Sequence, residues 1–301
     1  MMEIQKQLLL FLSGIHTGFL NVLVQFFTII GEEFLVIAIS VFIYWNISKK
    51  NGFVMSMSLM NALAAMGIAK AVVRFPRPWV VLDSLETVRQ HTATGYSFPS
   101  GHTTIAASSY SSMAVTFRKR WLSVLCSVAI LLVALSRLYL CVHWPMDVVA
   151  GVLIGCGTTF VFGGFFSGLY DDKARSIRVT AVIGCVMTLA AFVLSVILTV
   201  EKGDSLALDD LCMSFSIYGG LAFGFAIERH FNEFETSEGE WGKKILRYVV
   251  GMAVVVFIAF GGKALLQTVG IYNPMTRALR YFIIGIWCCT YPMLGKKLRL
   301  F

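Results

Sequence analysis

Residues 178–200 read RVTAVIGCVMTLAAFVLSVILTV, a segment with a single charge at its start and none after it. About 20 apolar residues are enough to cross the hydrocarbon core of a bilayer as an α-helix. Comparable segments lie at 25–48, 52–73, 102–118, 121–142, 147–169, 208–228, 246–268 and 278–296. Because a backbone in lipid must satisfy its own hydrogen bonds, the pattern predicts an all-α, polytopic membrane helical bundle with nine spans.

The overall composition supports a membrane protein. Of the 301 residues, 57% are hydrophobic and only 14% are charged, which excludes an ordinary soluble domain. A net charge of +8 in a soluble protein would suggest nucleic acid. Here the basic residues fall in short connections between spans, so we expect no nucleic-acid partner.

The basic residues also predict the orientation in the membrane. They occupy alternate connections of the nine-span pattern: Lys49-Lys50, Arg118–Arg120, Lys173/Arg175/Arg178, Lys243-Lys244/Arg247 and Lys296-Lys297/Arg299. The positive-inside rule places these connections in the cytoplasm. The opposite connections include the acidic segment 201–210 (Glu201, Asp204, Asp209, Asp210). We therefore expect a plasma (inner) membrane protein in which 74–101 and 142–146 are external.

The first 24 residues are apolar but interrupted by His16 and Asn21. We interpret residues 1–24 as an N-terminal interfacial helix, with a tenth span as the alternative. The segment lacks a basic start and a small-residue cleavage site, which predicts no cleaved signal peptide.

Three polar stretches interrupt the apolar pattern at span ends: Lys70…Arg77-Pro78, Pro99-Ser100-Gly101-His102 and Ser136-Arg137…His143…Asp147. Charged groups at the edge of a span are costly and therefore indicate function. Arginine and lysine suit phosphate oxygens, although a lone cation at a span end is as well explained by snorkelling. Three cations on the external side, against the charge trend, favour an anion site.

The second and third stretches add groups that suit catalysis. Ser100 is a natural N-cap, Gly101 allows close backbone approach, and the helix that follows offers free N–H groups to an anion. His143 and Asp147 are four residues apart, with Pro145 predicting a helix start near Trp144 or Pro145. A carboxylate that accepts the imidazole Nδ1–H would leave Nε2 as a nucleophile.

Together, Lys70-x6-Arg77-Pro78, Pro99-Ser100-Gly101-His102 and Ser136-Arg137-x5-His143-x3-Asp147 resemble the three-part signature of the type 2 phosphatidic acid phosphatase superfamily. The resemblance covers roughly 25–170 and implies a phosphatase core of about five to six helices there. About four additional C-terminal transmembrane helices, in 171–301, lie outside it.

The resemblance also implies roles for individual residues. His143 would attack phosphorus and form a phosphohistidine, Asp147 would orient it, and His102 would act as general acid and then as general base. The phosphoryl oxygens would be held by Lys70, Arg77, Ser100, Gly101 and Arg137. The resemblance implies no cofactor and no metal. The remaining histidines (His16, His91, His230) lack ligand spacing, and the seven cysteines, without a CxxC pair, are interpreted as small buried hydrophobes.

A site at a span end suits a membrane lipid substrate. The first choice is conversion of undecaprenyl diphosphate to undecaprenyl phosphate; phosphatidate or a sphingosine-phosphate-type lipid is the alternative. A non-enzymatic lipid or anion transporter is a distant alternative, and the soluble vanadium haloperoxidases of the same superfamily do not fit nine spans. The oligomeric state stays open.

Several other polar and aromatic residues are interpreted as interfacial. Glu32 and Glu33 lie near the outer end of the first span, and an aromatic belt would contain Trp79, Tyr96 and Trp144. Lys263, Arg277 and Arg280 flank an external connection, where an interfacial role is favoured over help in binding a diphosphate.

Overall fold

The computed structural model describes residues 2–90, 93, 95–200, 206–232, 234–236 and 240–297. Among these residues only helices and connecting turns occur, so the predicted all-α class is confirmed. The N-terminal helices are α1 (Met2–Gly14), α2 (Gly18–Ile29), α3 (Glu33–Asn46), α4 (Lys49–Val73) and α5 (Pro78–Val81). The later helices are α6 (Gly101–Phe117), α7 (Arg120–Tyr139), α8 (Pro145–Asp171), α9 (Lys173–Val200), α10 (Leu206–Phe231), α11 (Trp241–Val256), α12 (Gly262–Thr268) and α13 (Pro274–Lys297). A π-helical turn, Phe257–Gly261, joins α11 to α12.

Six helical segments are long and apolar enough to cross a membrane: Lys49–Val81, Arg120–Tyr139, Pro145–Asp171, Lys173–Val200, Leu208–Phe231 and Trp241–Thr268. Counting the bent pair α1–α2 as one span raises the number to seven. Helices α6 and α13 lie where spans were predicted, but they do not meet this test. Since α6 has 17 residues and buries six serines and threonines, it is an interior helix with little lipid-facing surface.

The predicted single span over 25–48 is wrong. Helix α2 ends at Ile29, and α3 begins at Glu33 and has only 14 residues. Backbone hydrogen bonds from Gly31 to Thr28 and from Glu32 to Ile29 form the turn that separates them. The predicted helix over 1–24 is likewise two helices, α1 and α2, bent by 120°. Its interfacial placement stays a prediction.

The chain divides into two compact units. Unit 1 comprises Met1–Ile37 and Asn61–Gly163, and unit 2 comprises Ala38–Met60 and Gly164–Phe301. The acidic residues Glu201 and Asp204, on which part of the orientation argument rests, lie outside the described residues, as does His91.

In unit 1, helix α7 packs against α6, α2 and α1. Helices α6 and α8 approach closely at Gly155, where an added Cβ would come within 2.6 Å of the Thr104 carbonyl oxygen. Small residues allow such close packing between membrane helices, and hydroxyl groups reinforce it. The Thr159 hydroxyl donates to the Ser108 carbonyl at 3.1 Å and accepts from the Ser111 hydroxyl at 2.9 Å.

In unit 2, helices α9, α10 and α13 pack against one another. Phe53 of α4 stacks on Phe225 of α10 with ring centroids 4.0 Å apart, and Trp45 of α3 donates its indole N–H to the Cys288 carbonyl. All seven cysteines of the chain are free, and five are buried, as expected for small hydrophobes. Cys185 on α9 is exposed and departs from that expectation.

Candidate active site

The three predicted stretches come together at one end of unit 1. Lys70 lies in the last turn of α4, Arg137 lies in the last turn of α7, and Asp147 lies in the first turn of α8. The connections between these helices contribute Arg77 and His143. A further link is backbone to backbone, since the N–H of Ser100 donates to the Asp147 carbonyl at 3.0 Å. The helix ends therefore gather side chains that are distant in the sequence.

His143 and Asp147 form the contact that the spacing predicts. Helix α8 begins at Pro145, and the Asp147 Oδ2 lies 3.3 Å from His143 Nδ1. The same oxygen accepts the Trp144 backbone N–H at 2.8 Å and the Ser97 hydroxyl. The three donors converge on this oxygen and favour the ionised carboxylate, which orients the imidazole. Ser97, fully buried, was not predicted.

The other imidazole nitrogen faces Arg77. Arg77 Nη1 lies 2.9 Å from His143 Nε2 and 3.4 Å from Nδ1. Because Nδ1 donates its proton to the Asp147 carboxylate, Nε2 carries the lone pair. Burial, followed by the charges of Arg77, Arg137 and Lys70, holds the pKa of His143 well below its ordinary value. His143 is therefore a neutral imidazole with a cation close to its ring.

Arg77 is fixed by backbone carbonyl groups. Its Nη1 donates to Val142 at 2.9 Å, and its Nε donates to Gly95 at 3.0 Å. Both acceptors belong to connections between helices rather than to helices. The same residue thus ties the loop before α6 to the loop before α8, and it presents its charge to His143.

Arg137 has more donors than partners. Only 1% of its surface is exposed, and its Nη1 donates to the Thr28 hydroxyl at 2.6 Å. Its buried Nε has no hydrogen-bond partner among the described residues. An unsatisfied buried donor on a cation is costly in free energy, so its presence indicates a place for an anion.

The start of α6 differs from the prediction in one respect. Ser100 occupies the N-cap position, but its hydroxyl makes no capping bond and instead contacts the Thr103 hydroxyl at 2.9 Å. Around Gly101 the nearest atom that an added Cβ would meet is Met66 Sδ, at 3.6 Å. This is an ordinary van der Waals distance, so Gly101 packs against α4, and the N–H groups at the start of α6 suit an anion.

His102 is half-buried and surrounded by positive charge. The surrounding charges are those of Arg137, Arg89, Arg77 and Lys70. Arg89 was not singled out from the sequence. Its guanidinium pairs with Glu32 at 3.0 Å, so Glu32 is part of an ion pair rather than a lone interfacial acid.

Trp144 does not belong to an aromatic belt. It is fully buried, and it packs in a cluster with Leu9, Leu85 and Cys141. Its indole N–H donates to the Pro76 carbonyl at 2.9 Å. Trp144 therefore helps to hold the connection that carries Arg77 against the start of α8.

Helices α1 and α2 also support the site. The backbone N–H of Met146 donates to the Gln5 side chain at 3.0 Å, and the His16 ring contacts the Tyr139 carbonyl at 2.7 Å. These contacts fix the segment between α7 and α8 from outside the predicted core. No motif spacing in the first 24 residues indicated this role.

The C-terminal cations lie in unit 2 and have their own partners. Arg277 pairs with Asp209, and Arg280 donates to the Ala259 carbonyl in the π-helical turn. Within the described parts of the chain, no group of three histidine, cysteine, aspartate or glutamate side chains could hold a metal ion.

Comparison with known proteins identifies the family. Residues 51–167 match the family model of the PAP2 superfamily, and residues 213–301 match that of the PAP2 superfamily phosphatase, transmembrane extension. The second match falls on the additional C-terminal helices and describes them as a transmembrane extension.

Two relatives agree with the family matches. The undecaprenyl-diphosphatase of Sulfolobus acidocaldarius is 30% identical over 143 residues, which is 47% of this chain and 68% of that protein. The lipid A 4'-phosphatase of Bacteroides thetaiotaomicron is 32% identical over 168 residues, or 51% of this chain and 72% of that protein. A crystal structure of Aquifex aeolicus LpxE gives a TM-score of 0.47 at 21% identity, covering 52% of this chain and 92% of that one.

The extent of these matches and the apolar helices lead to one conclusion: this chain is an integral membrane protein of the PAP2 superfamily, a family of membrane lipid phosphatases.

Proposed function

We propose that this protein removes a phosphate group from a membrane lipid through a phosphohistidine on His143. The observation that carries the proposal is the placement of His143 between the Asp147 carboxylate, at Nδ1, and the Arg77 guanidinium, 2.9 Å from Nε2. In the proposed complex a phosphoryl group replaces the Arg77 contact beside Nε2. Such a pair of partners orients and activates a nucleophile.

In the first step His143 Nε2 attacks phosphorus in line. A nitrogen–phosphorus bond forms while the bond to the leaving oxygen breaks, and His102 gives that oxygen its proton. Arg77 moves from Nε2 to a phosphoryl oxygen. Lys70, Arg137, the Ser100 hydroxyl and the Gly101 amide stabilise the remaining charge on the transferred group.

In the second step water attacks the phosphohistidine. His102, now neutral, accepts a proton from the water, the nitrogen–phosphorus bond breaks, and inorganic phosphate leaves. Asp147 stabilises the positive charge that His143 carries in the intermediate. A bound phosphate also places negative charge beside His102 and so favours its protonated form for the first step.

For the substrate, undecaprenyl diphosphate is our first choice. The Sulfolobus relative is named an undecaprenyl-diphosphatase, which supports this choice. A lipid monophosphate is the second candidate, because the Bacteroides relative is named a lipid A 4'-phosphatase. Phosphatidate and sphingosine-phosphate-type lipids belong to that second class.

We further propose that residues 25–170 act as the phosphatase core, that 171–301 extend it, and that the site opens on the external face of the plasma membrane. Alternating basic connections support this orientation. In a background without native cysteines, a cysteine at the exposed Ser84 should react with an impermeant maleimide in intact cells, and one at the exposed Lys119 should not. Reaction at 119 but not at 84 would reverse the orientation.

The activity itself is tested on protein purified in detergent. Phosphate release is measured from undecaprenyl diphosphate, farnesyl diphosphate, phosphatidate and sphingosine phosphate. We expect release from at least one prenyl diphosphate, and His143→Ala serves as the control. A folded protein that releases phosphate from none of these lipids would contradict the proposal and favour a transporter.

A further inference from the structure

The turn between α2 and α3 lies directly against the candidate site. The Thr28 hydroxyl accepts a hydrogen bond from Arg137, and Glu32 pairs with Arg89. Between them, a Cβ added at Gly31 would come within 3.2 Å of the His102 carbonyl oxygen. Thr28 and Gly31 therefore lie against Arg137 and His102, which would handle phosphate, and Glu32 links the same turn to Arg89.

Arg89 brings a fourth cation to this place. Its partner Glu32 follows Gly31, the residue that lies against the His102 carbonyl. The Arg89–Glu32 pair therefore lies on the His102 side of the site. The side chain of Arg89 is 20% exposed and that of Glu32 is 36% exposed, so the pair stands at the entrance rather than in the core.

The charge of the leaving group differs between a monoester and a diphosphate, and a cation at the position of Arg89 would act on that difference. In an in-line transfer the leaving oxygen lies opposite His143, on the side where His102 donates its proton. A monoester releases an uncharged alcohol there. A diphosphate releases a lipid phosphate, which carries negative charge and gains from a neighbouring cation.

We propose that Arg89 is a specificity-determining residue that binds the second, lipid-linked phosphate of a diphosphate substrate. In the structure Glu32 pairs with Arg89, and the second phosphate of the substrate takes the place of that carboxylate. The inference rests on the proposed phosphatase function and narrows its substrate class to lipid diphosphates.

Two probes that share one tail isolate the effect. Farnesyl diphosphate and farnesyl monophosphate differ only in the phosphate that Arg89 would bind. For Arg89→Gln we expect kcat/KM for the diphosphate to fall about 10- to 100-fold, the loss of a hydrogen bond between charged groups. The value for the monophosphate should change by less than about 3-fold, since Arg89 contacts nothing in that substrate.

A matched control is available in Arg74. It is also an arginine with a left-handed backbone, at φ 49° against 63° for Arg89, and it is exposed, with its Nε donating to the Ala71 carbonyl. Arg74→Gln should leave the ratio of the two kcat/KM values unchanged. Glu32→Gln removes the competing carboxylate and should lower the KM for the diphosphate alone.

The possible outcomes distinguish a failure of the Arg89 role from a failure of the proposed phosphatase function. Equal losses on both substrates with Arg89→Gln would overturn the specificity role while the phosphatase function stands, and so would the absence of any loss. Unmodified protein that releases phosphate from neither probe would overturn the proposed function and the role of Arg89 with it. Thermal unfolding of each variant identifies losses that come from misfolding.

Discussion

Units 1 and 2 each bury a group of charged side chains, and the two groups differ in how their charges are balanced. In unit 2, Lys49 lies 2.8 Å from both carboxylate oxygens of Glu228, and its ammonium stands 4.5 Å from the Phe234 ring centroid. The Tyr44 hydroxyl also contacts this carboxylate, at 3.4 Å. Within this cluster one buried cation thus has one buried anion; the other buried cations of unit 2, Arg247 and Arg280, donate to the Asn46 side-chain oxygen and to the Ala259 carbonyl.

At the candidate site in unit 1 the buried charges are not balanced. Three buried cations, Lys70, Arg77 and Arg137, accompany one buried carboxylate, Asp147. The Nε of Arg137 and the Oδ1 of Asp147 both lack hydrogen-bond partners among the described residues. A balanced buried pair holds helices together, whereas an excess of one sign costs stability and needs a ligand to offset it. The contrast separates a structural cluster from a site.

The largest effect should come from His143. We expect His143→Ala to reduce turnover by about 10⁴-fold or more and to abolish the phosphoenzyme, because no other group can form the covalent bond. His102→Ala should reduce turnover about 10²- to 10⁴-fold. Phosphate release and acid-quenched trapping of labelled enzyme measure the two steps.

His102→Ala is also the control for this assignment. It should still accumulate phosphoenzyme from a substrate with a good leaving group, since it loses proton transfer and keeps the nucleophile. Near-normal turnover by His143→Ala would show that the nucleophile lies elsewhere.

The charge contrast itself is tested by two neutral replacements. Arg137→Met should cost activity about 10²- to 10³-fold, the loss of one preorganised charge on the transferred group. Its stability should stay equal or rise, because an unsatisfied buried cation is removed. Glu228→Met should instead lose about 3–5 kcal/mol of stability, since Lys49 then remains buried without its anion.

Thermal unfolding in detergent and phosphate release per folded molecule measure both effects. If Arg137→Met proved as destabilising as Glu228→Met, the excess buried charge at the site in unit 1 would stabilise the protein as much as the balanced Lys49–Glu228 pair does, which would contradict the comparison. Glu228→Met should retain its activity per folded molecule.

The site was predictable where each residue occupied a fixed place in a motif at a helix end. Alternating spans bring the end of α4, the start of α6, the end of α7 and the start of α8 to one side. The spacing of His143 and Asp147 then implied their contact, because a helix that begins at Pro145 points its first turn back along the chain.

The supporting residues could not be predicted because no spacing marks them. Thr28 and Glu32 approach the site because the run 25–48 breaks at Gly31, and Glu32 pairs with Arg89; the apolar residues before and after the turn concealed that break. Trp144 was misplaced, and Ser100 occupies its predicted N-cap position without the capping bond, for a related reason. Local preference favours an interface and a helix cap, but packing buries the indole, and Thr103 takes the hydroxyl.

A smaller effect is expected in the dependence on pH. The lowered pKa of His143 keeps its imidazole neutral in the free enzyme at pH values where an ordinary histidine, near 6.5, is half protonated. Protonation removes the nucleophile, so activity should fall only as the pH drops through the lowered value. In a profile of kcat/KM, which reports the free enzyme, the acid limb due to His143 should therefore lie below pH 6.5. A limb above 6.5 would mean that the surrounding cations do not act on His143 as the structure implies.

The smallest effect should follow removal of metal ions. The three cations of unit 1 already occupy the role that a metal has in many phosphoryl-transfer enzymes, and a single carboxylate with neighbouring cations makes a poor metal site. We expect excess EDTA to change phosphate release by less than about 2-fold, within the range of an indirect salt effect. Orthovanadate, which can adopt the five-coordinate geometry of the transition state, should inhibit in the same buffer, and it should bind more weakly to Arg137→Met. Strict dependence on added magnesium would contradict this view, since the charge excess of the candidate site would then be insufficient for phosphoryl transfer.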